Sequence, residues 1–487
     1  MVPPDLEEQA IQSQLDNGPV PPGTEAKLSI PAGREPGDSL AEWEELQRRL
    51  QEQGVQYCLA SYVDVHGVPK AKSVPVNHVK RMLSGSELFT GAAIDGLGQG
   101  PQDDELSLWP DVDAVTVMPW EPTVAWAPGC LHLHGSPYQM DSRVILKQQT
   151  DRLRERGLIL NLGIETEFFL VDSSRGRPEP ANPRDVIPRA AYDVAGLVEA
   201  LPFLDELAGY MNQLGWDVHS FDHEDANSQF EFDFSYTDAL AMADRATLWK
   251  LMTKLVARRH DLEVTYMPKP YADRTGSGGH FNMSLATVAD GTNLFATEDD
   301  ARGAGVSELA YQFIGGLIQH AGAICAVASP TVNSYKRLVK TGSMTGYTWA
   351  PVYISYGANN RTHMFRVPMG GGRVECRSVD MSCNPYLTAA MMVGAGIDGI
   401  DRQLDPGDPI AENMYQKSAA ELEGMGVKVL PRTLLEAVEA FDRDAGFTRD
   451  ILGDELAEEF SALKQKEWWS YHNSVTDWEY DHYLHFF

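Results

Sequence analysis

The chain has 487 residues, of which 40 are lysine or arginine and 70 are aspartate or glutamate, so its formal net charge at pH 7 is −30. This excess of negative charge repels nucleic acid and anionic lipid, so we expect no nucleic-acid and no membrane partner, and a binder of cations fits better. No uncharged apolar run approaches the roughly 20 residues that span a bilayer, and the first residues lack the features of a signal peptide. We therefore expect a cytoplasmic protein.

The sequence divides into three segments. Residues 1–38 are rich in Pro, Gly and Glu and lack periodicity, which predicts a flexible extension. Residues 39–138 begin with a helical pattern, with Ser39 as the expected N-cap, and continue with short strands, which predicts a small α+β domain. Residues 139–487 alternate long helices with short strands and form the expected catalytic domain. Its aromatic tail is predicted to be one helix with a packing face.

The cysteines are sparse and lie outside any CxxC or Cys/His zinc spacing, as the positions 58, 130, 325, 376 and 383 show. Their number is odd and no secretory signal precedes them. We therefore expect reduced, structural thiols rather than disulfides or a zinc site.

Four segments of the third part alternate apolar with polar residues, so that each predicted strand has one functional face. The polar positions are Glu165 and Glu167 in "GIETEFFL", Gln229, Glu231 and Asp233 in "SQFEFDF", His280, Asn282 and Ser284 in "GHFNMSL", and Arg373, Glu375 and Arg377 in "GRVECRSV". A short turn would aim Glu224 into the same space as Glu231. Burying an unpaired carboxylate costs several kcal/mol, so these groups need cations unless the faces look into solvent. Oxygen ligands in this number with one imidazole suit Mg²⁺ or Mn²⁺ rather than zinc.

Arginines cluster in the same region of the sequence, at positions 337, 361, 366, 373 and 377. The guanidinium fork grips carboxylate and phosphate bidentately, so carboxylates facing arginines indicate a metal–nucleotide phosphoryl-transfer centre. Structural salt bridges are the alternative. No Walker-type motif follows a strand, so a nucleotide would bind without a P-loop.

Six motifs resemble the glutamine synthetase superfamily in order and spacing. They are "GIETEFFL", "HEDANSQFE", "TGSGGHFNMS", "PTVNSYKRL", "NNRTHMFRVP" and "GRVECRSVDMSCNPYL". The resemblance runs from about residue 45 to the C-terminus. It implies an α+β fold with an N-terminal β-grasp domain and a catalytic domain built of an antiparallel sheet and helices. It also implies a ring-forming homo-oligomer, usually a dodecamer, with active sites between subunits.

The resemblance also implies roles for individual residues. A first metal ion would be bound by Glu167, Glu224 and Glu231, and a second, which holds the ATP phosphates, by Glu165, His280 and Glu375. Two or three Mg²⁺ or Mn²⁺ ions and ATP as co-substrate are expected. Glutamate or phosphate would contact Gly276, Arg337, Arg361, Arg366, Arg373 and Arg377, and ATP would contact Asn282, Ser284, Arg366 and Arg373. The resemblance implies catalytic roles for Arg361, Arg366, Glu224 and Tyr192. It also implies an amine site formed by Thr90, Tyr192 and Trp349.

The implied reaction phosphorylates the γ-carboxylate of L-glutamate with ATP, and an amine then displaces phosphate to give a γ-glutamyl amide. Two departures from the family pattern bear on the amine. "FTGAAIDG" has Thr90 where glutamine synthetases have an ammonium-binding aspartate, and "GYTWAP" has Trp349 in place of a flap glutamate. An indole can cover the methyl groups of an alkylammonium ion, so we expect a small alkylamine.

Methylamine is the favoured amine, because this flap also resembles that of γ-glutamylmethylamide synthetases and the type III-like GlnT enzymes. Several alternatives stay open. Asp95 would supply the missing carboxylate in an enzyme that uses ammonia, and a larger amine such as ethylamine, a polyamine or ethanolamine would extend past the indole. A pseudo-enzyme and a guanidino kinase are two further classes. Tyr415 falls near the tyrosine that some family members adenylylate.

Overall fold

The computed structural model describes residues 36–174, 176–344 and 346–487. The predicted flexible extension, residues 1–38, therefore lies almost entirely outside the described residues. Helix α1 runs from Pro36 to Glu52. It begins before Ser39, so the prediction that Ser39 caps this helix is wrong.

The first part of the described chain forms a sheet with its own core. After α1 its elements are β1 Tyr57–Val63, β2 Pro69–Pro75, α2 Val79–Leu83, β3 Glu87–Phe89, β4 Leu106–Pro110, β5 Thr116–Val117, β6 Val124–Leu133 and β7 Ser136–Pro137. The strand order is β2-β1-β6-β4-β3, with β5 and β7 also paired to β6. Strands β1 and β6 run parallel. Trp43, Tyr62 and Leu108 belong to the separate apolar cluster beneath this sheet. Its β-grasp class and the boundaries 39–138 stay predictions.

The remainder alternates helices and strands, as predicted. The strands are β8 Leu158–Ile164, β9 Thr166–Asp172, β10 Glu179–Pro180, β11 Val218–His223, β12 Gln229–Phe234, β13 Thr237–Asp238, β14 Glu263–Thr265, β15 Phe281–Thr287, β16 Tyr353–Ile354, β17 Tyr356–Ala358, β18 Phe365–Val367, β19 Val374–Cys376 and β20 Lys428–Val429. The helices are α3 Ser142–Glu155, α4 Val194–Gln213, α5 Ala239–Arg259, α6 Glu308–Gln319, α7 Ala321–Ala328, α8 Ser334–Arg337, α9 Pro385–Asp401, α10 Ala419–Gly424, α11 Leu434–Arg443, α12 Ala445–Leu452, α13 Asp454–His472 and α14 Asp477–Tyr483.

Two sheets dominate this second part. A five-stranded antiparallel sheet has the order β10-β9-β12-β11, with β14 on β9. A six-stranded sheet has the order β13-β8-β15-β19-β18-β17 and is antiparallel except for the parallel pair β17–β18. Helix α9, which is buried along nearly its whole length, packs against α3, α5, α6, α7 and α12. Mixed helices and predominantly antiparallel sheets therefore surround one large core.

The segment "GIETEFFL" connects the two sheets instead of forming the single strand that its pattern predicts. Strand β8 ends at Ile164 in the six-stranded sheet, and β9 begins at Thr166 in the five-stranded sheet. Between them, the Glu165 N–H donates to the His280 carbonyl at 3.1 Å. Glu167 lies opposite Glu231 of β12. The two glutamates thus approach one space from different sheets.

The alternation in β12 places its charges as predicted. Phe230, Phe232 and Phe234 are buried, and the rings of Phe232 and Trp249 of α5 lie 5.1 Å apart. Successive strand residues point to opposite faces, so burial of the phenylalanines turns Glu231 and Asp233 away from this core. The apolar face therefore fixes the register of the charged one.

Helix α3 is tied to the first part of the chain by buried polar groups. The Asp141 carboxylate caps α3 through the N–H groups of Arg143 and Val144. The Arg143 guanidinium donates to Asp244 at 3.0 and 3.1 Å and to Asp111 at 2.9 Å. These pairs connect α3 with α5 and with the loop after β4.

A buried histidine joins the helices behind the sheets. His320, between α6 and α7, stacks on Phe447 at a centroid distance of 3.8 Å. Its Nδ1 lies 2.6 Å from Asp444 Oδ2 and its Nε2 lies 3.0 Å from Asp398 Oδ2. Burial alone would lower the pKa of His320, but the hydrogen bonds to both aspartates outweigh it and raise that pKa.

The aromatic tail differs from its prediction. It forms two helices, α13 and α14, instead of one. The first helix ends at His472, and the Thr476 side chain caps the second. Trp468 packs against the large core, whereas Trp469, Trp478 and Phe486 are exposed, so only part of the aromatic tail packs within the described chain. All five cysteines are free thiols, as predicted. Among the described residues, no helix is both long and apolar enough to cross a membrane.

Candidate active site

A cavity of about 670 Å³ opens between the five-stranded and six-stranded sheets. The predicted site residues that line it are Glu165, Glu167, Tyr192, Glu224, Glu231, Gly276, His280, Arg337, Trp349, Arg361, Arg366, Arg373 and Arg377. We call it the main cavity. Four predicted residues are not among its lining: Thr90, Asn282, Ser284 and Glu375.

The predicted metal ligands lie close together. One oxygen of Glu165, one of Glu231 and one ring nitrogen of His280 fall within 4.8 Å of one another. His280 Nδ1 is 2.8 Å from Glu165 Oε2, and its Nε2 is 3.6 Å from Glu167 Oε1. Glu375 is fully buried behind this group, with its Oε1 3.5 Å from His280 Nδ1. The imidazole therefore has carboxylates around both ring nitrogens.

Crowding of like charges perturbs these groups. Burial and the neighbouring carboxylates of Glu167 and Asp222 raise the pKa of Glu224 to about 8. Burial, with Glu224 as the next cause, raises the pKa of Glu231 well above its ordinary value. Burial, followed by the charge of Arg377, lowers the pKa of His280 to about 3, which keeps the imidazole neutral and able to donate a lone pair. Carboxylates that repel one another beside a neutral imidazole are a donor set that fits divalent cations.

Neighbouring amide groups orient the carboxylates. The Gly278 N–H donates to Glu167 Oε2 at 2.8 Å. The Asn282 side-chain amide donates to Glu165 Oε1 at 2.8 Å. Gln229 donates to Glu167 Oε2 at 3.2 Å and to the Gly276 carbonyl at 3.1 Å. Such contacts fix ligand carboxylates before an ion binds.

Two of the arginines hold Glu375. Arg366 donates to Glu375 Oε2 at 2.7 Å, and Arg377 donates to Glu375 Oε1. The Nε groups of both arginines are buried and have no hydrogen-bond partner in the described part of the chain. A buried N–H without a partner is costly, so both Nε groups are suited to an anionic ligand. Salt bridges with Glu375 therefore account for only some of the N–H groups of Arg366 and Arg377.

Arg337 instead faces backbone carbonyls and a glycine. It donates to the Ser378 and Arg377 carbonyls at 3.1 and 2.9 Å. A Cβ added at Gly276 would lie 2.3 Å from the Pro268 carbonyl oxygen and 2.7 Å from Arg337 Cγ. Only glycine fits this position. Gly276 also lines the main cavity, to which it presents backbone atoms alone.

A second cavity of about 610 Å³ adjoins the first and contains the predicted nucleotide positions Asn282 and Ser284. Both cavities are lined by Glu165, Ser220, Asp233 and Arg373. Arg373 Nε donates to Asn282 Oδ1 at 3.1 Å. The predicted ATP contacts Asn282, Ser284 and Arg373 therefore lie together, beside the predicted metal ligand Glu165.

The predicted amine site is only partly assembled in one chain. Tyr192 and Trp349 line the main cavity, and both have positive φ angles, of 64° and 56°. Thr90 is not in this cavity; its hydroxyl donates to Glu105 Oε1 at 3.3 Å. Asp95, the alternative carboxylate, lies 3.3 Å from His66 Nε2 and does not line the cavity either. Within this chain, neither residue reaches the site.

The sequence analysis missed Ser220 and Asp222, which also line the main cavity. Asp222 lies opposite Glu231 across β11 and β12. Burial and Asp233 raise its pKa to about 6. The signal was present, because residues 220 and 222 alternate along β11 and Glu224 follows directly after it.

Comparisons with known proteins identify the family of this chain. The model of the glutamine synthetase catalytic domain matches residues 139–483. The chain belongs to the glutamine synthetase family. A relative from Methyloversatilis universalis, named glutamate–methylamine ligase, is 43% identical over 445 residues, which cover 91% of this chain and 99% of the relative. A glutamine synthetase from Rhizobium meliloti is 36% identical and covers 90% of this chain and 98% of its own length.

Two solved structures have the same fold as this family member. One, described as a GmaS/ADP complex, superimposes with a TM-score of 0.84 at 39% identity and covers 90% of this chain and 99% of its own. Another, described as apo GmaS, has a TM-score of 0.82 at 38% identity with the same coverage of both chains. The family membership and the catalytic-domain fold expected from the motifs are confirmed.

Proposed function

We propose that this protein is an ATP-dependent ligase that phosphorylates the γ-carboxylate of L-glutamate and joins it to a small amine. Methylamine is the favoured amine, and the products are γ-glutamylmethylamide, ADP and phosphate. The observation that carries the proposal is the main cavity, which gathers clustered carboxylates, a neutral imidazole and arginines with free Nε groups. The glutamate–methylamine ligase named above supports the choice of amine.

The residues present fit two divalent cations, Mg²⁺ or Mn²⁺. We propose Glu167, Glu224 and Glu231 as ligands of one and Glu165, His280 and Glu375 as ligands of the other; a third ion would share these carboxylates. Cations bound there would neutralise charge on the phosphoryl oxygens of ATP. The raised pKa values of Glu224 and Glu231 support this assignment, since carboxylates this close together repel one another unless a cation lies between them.

The arginines and Gly276 serve the glutamate half of the reaction. Arg337, Arg361 and Gly276 hold the amino acid so that its γ-carboxylate oxygen attacks the terminal phosphorus of ATP. A new O–P bond forms while the bond to ADP breaks. Arg366 and Arg373 bind the transferred phosphoryl oxygens, and Arg377 keeps Glu375 in place. Fixed guanidinium groups need no reorganisation as charge develops, which is the main advantage of such a site.

The amine half lies at the Tyr192 and Trp349 end of the main cavity. There the Glu224 carboxylate accepts a proton from the bound alkylammonium ion while the Tyr192 hydroxyl oxygen accepts a hydrogen bond from it, and the free amine attacks the γ-carbonyl carbon and displaces phosphate. The Trp349 indole covers the methyl group of methylammonium through cation–π and apolar contact. Ammonia offers no methyl group to this wall.

We also propose a ring assembly, the dodecamer usual in the family, with each site completed by a neighbouring subunit. Two observations support it. Thr90, expected at the amine site, does not line the main cavity of its own chain, so a second copy would have to supply it. The exposed aromatic side chains of α13 and α14, including Trp469 and Trp478, form an apolar surface suited to another subunit. The N-terminal β-grasp domain would provide the Thr90 side of the interface.

A panel of amines tests the proposal. Phosphate release is measured with glutamate, ATP and Mg²⁺ plus ammonia, methylamine, ethylamine, ethanolamine or a polyamine at equal free-base concentration. We expect the highest kcat/KM with methylamine. The highest value with ammonia would show that the protein is a glutamine synthetase instead. Phosphate release independent of any amine would contradict the ligase proposal. A phosphorylated guanidine product, formed when a guanidino compound replaces the glutamate and amine, would indicate a guanidino kinase.

A further inference from the structure

We propose that Tyr415 is a positioning residue for amine selection, because its hydroxyl holds the segment that carries Trp349. We call residues 346–351 the flap segment. The inference rests on the proposed function in one respect: an amine must bind at the Trp349 end of the main cavity. It gives Tyr415 a role in holding the flap segment, whereas the sequence suggested only a site of adenylylation.

Consecutive residues of the flap segment are tied to other parts of the chain. The Tyr415 hydroxyl donates to the Ala350 carbonyl at 2.6 Å. Arg377 Nη2 donates to the Trp349 carbonyl at 3.1 Å. The Thr348 hydroxyl donates to the Val339 carbonyl at 2.5 Å. The flap segment has no regular secondary structure of its own, so these side-chain contacts replace a hydrogen-bond ladder.

The ties matter because Trp349 has an unfavourable backbone conformation. Its φ of 56° lies in the left-handed region, which a bulky residue adopts only when its surroundings impose it. Arg377 and Tyr415 hold the two carbonyl groups that follow the Trp349 Cα. Loss of either bond would let the backbone return to a commoner conformation and carry the indole away from the cavity.

The Tyr415 hydroxyl differs from Arg377 in what it binds, although Tyr415 lies near both Arg337 and Arg377. Tyr415 lies in a short 3₁₀ helix, Met414–Gln416, whose start is capped by the Asn413 side chain. Arg377 also binds Glu375, a predicted metal ligand, whereas the Tyr415 hydroxyl donates to the flap segment. Removal of this hydroxyl should therefore disturb Trp349 without disturbing the groups that serve ATP and glutamate.

The indole itself is positioned to report such a change. Trp349 lines the main cavity, and its ring lies 5.2 Å from that of Tyr347 at an angle of 33°. The Trp349 side chain is 43% exposed, so burial restrains it less than it restrains a core side chain. The backbone ties of the flap segment add to the restraint on this aromatic wall.

The test uses Tyr415→Phe, which removes one oxygen and keeps the ring. We expect the KM for methylamine to rise about fivefold, the change that one net neutral hydrogen bond supports. The KM for ammonia, the KM values for glutamate and ATP and the Kd for Mn²⁺ from calorimetry should stay within about twofold of wild type, a spread below 0.5 kcal/mol. Tyr210→Phe is the matched control, because the Tyr210 hydroxyl also donates a hydrogen bond, in this case to the Glu206 side chain at 2.9 Å, and Tyr210 does not line the main cavity.

A double-mutant cycle shows whether Tyr415 acts through the indole. Once Trp349→Ala has removed the ring, adding Tyr415→Phe should raise the KM for methylamine no further. An unchanged KM in Tyr415→Phe, or the same increase in the Trp349→Ala background, would overturn the inference. Should Tyr415→Phe fail to fold, Thr348→Val removes a neighbouring tie and is judged by the same measurements.

Failure of the proposed function would look different. A wild-type enzyme with its highest kcat/KM for ammonia would refute methylamine as substrate, whatever Tyr415 does. In that case Tyr415→Phe is still judged on the KM for methylamine, measured as the poorer substrate, and an unchanged value refutes the positioning role. A Tyr415→Phe enzyme with normal amine selectivity beside a methylamine-specific wild type would refute the positioning role alone.

Discussion

Replacement of Trp349 by alanine tests the amine half of the site most directly. The indole lines the main cavity and is 43% exposed, so it can cover one side of a bound methylammonium. Covering one methyl group is worth about 0.8 kcal/mol, and a cation–π contact at a half-exposed ring adds about 0.5–1 kcal/mol. The sum, about 1.3–1.8 kcal/mol, corresponds to roughly a 10- to 20-fold loss in binding.

Only the apolar part of this energy distinguishes methylamine from ammonia, because both ions carry the same charge. We therefore expect Trp349→Ala to lower kcat/KM for methylamine about 10- to 20-fold and that for ammonia about 2- to 5-fold, the share of the cation–π contact. The assay is phosphate release at saturating ATP and glutamate with each amine varied. Trp349→Phe serves as the matched control, since it keeps an aromatic face and should retain most of the selectivity.

Equal losses with both amines would refute the reasoning, because they would place Trp349 in the support of the cavity and not against the methyl group. A wild-type ratio of kcat/KM for methylamine to kcat/KM for ammonia in Trp349→Ala, together with a reduced ratio in Trp349→Phe, would refute the reasoning as well. Near-wild-type KM values for glutamate in both variants would show that the glutamate half has stayed intact.

Three further changes have expected outcomes. Trp349→Glu combined with Thr90→Asp should shift the preference of the assembled enzyme toward ammonia, and an unchanged order in the amine panel would mean that these positions do not select. Glu231→Gln should weaken Mn²⁺ binding in calorimetry about tenfold or more, while a wild-type Kd would remove it from the ligand set. His320 has a raised pKa, so its stabilisation is complete below about pH 6.5, the ordinary imidazole value, and is lost as pH rises through the raised value. The free energy of unfolding should fall over that interval in wild type and stay flatter in His320→Gln.

Strand periodicity located the predicted metal ligands because it depends only on local geometry. Burial of Phe230, Phe232 and Phe234 turns the intervening carboxylates toward the cavity, and this follows from a period of two without knowledge of the fold. The same rule failed at Glu165. Periodicity cannot tell one strand from two strands of different sheets, and the change of sheet between Ile164 and Thr166 depends on tertiary pairing with His280 and Glu231.

The parts of the site that the sequence could not place are those fixed by distant contacts. The pairing of Glu375 with Arg366 depends on how β18 and β19 pair in the six-stranded sheet. The tie between Tyr415 and the flap segment joins residues 65 positions apart in sequence, and no local pattern marks it. Thr90 is further removed still, because its expected partners would lie in another copy of the chain.

This difference in placement separates the two halves of the proposed reaction. Three of the proposed metal ligands, Glu167, Glu231 and Glu375, lie on paired strands, where a one-residue shift would turn each carboxylate to the wrong face. The groups expected to select the amine lie on a loop fixed by a few side-chain hydrogen bonds and in the first part of the chain. A change at Trp349 or Thr90 alters no strand register and no core contact of the phosphoryl-transfer site. The amine can therefore change between relatives of one fold while the glutamate chemistry stays the same, and amine selectivity has to be measured separately.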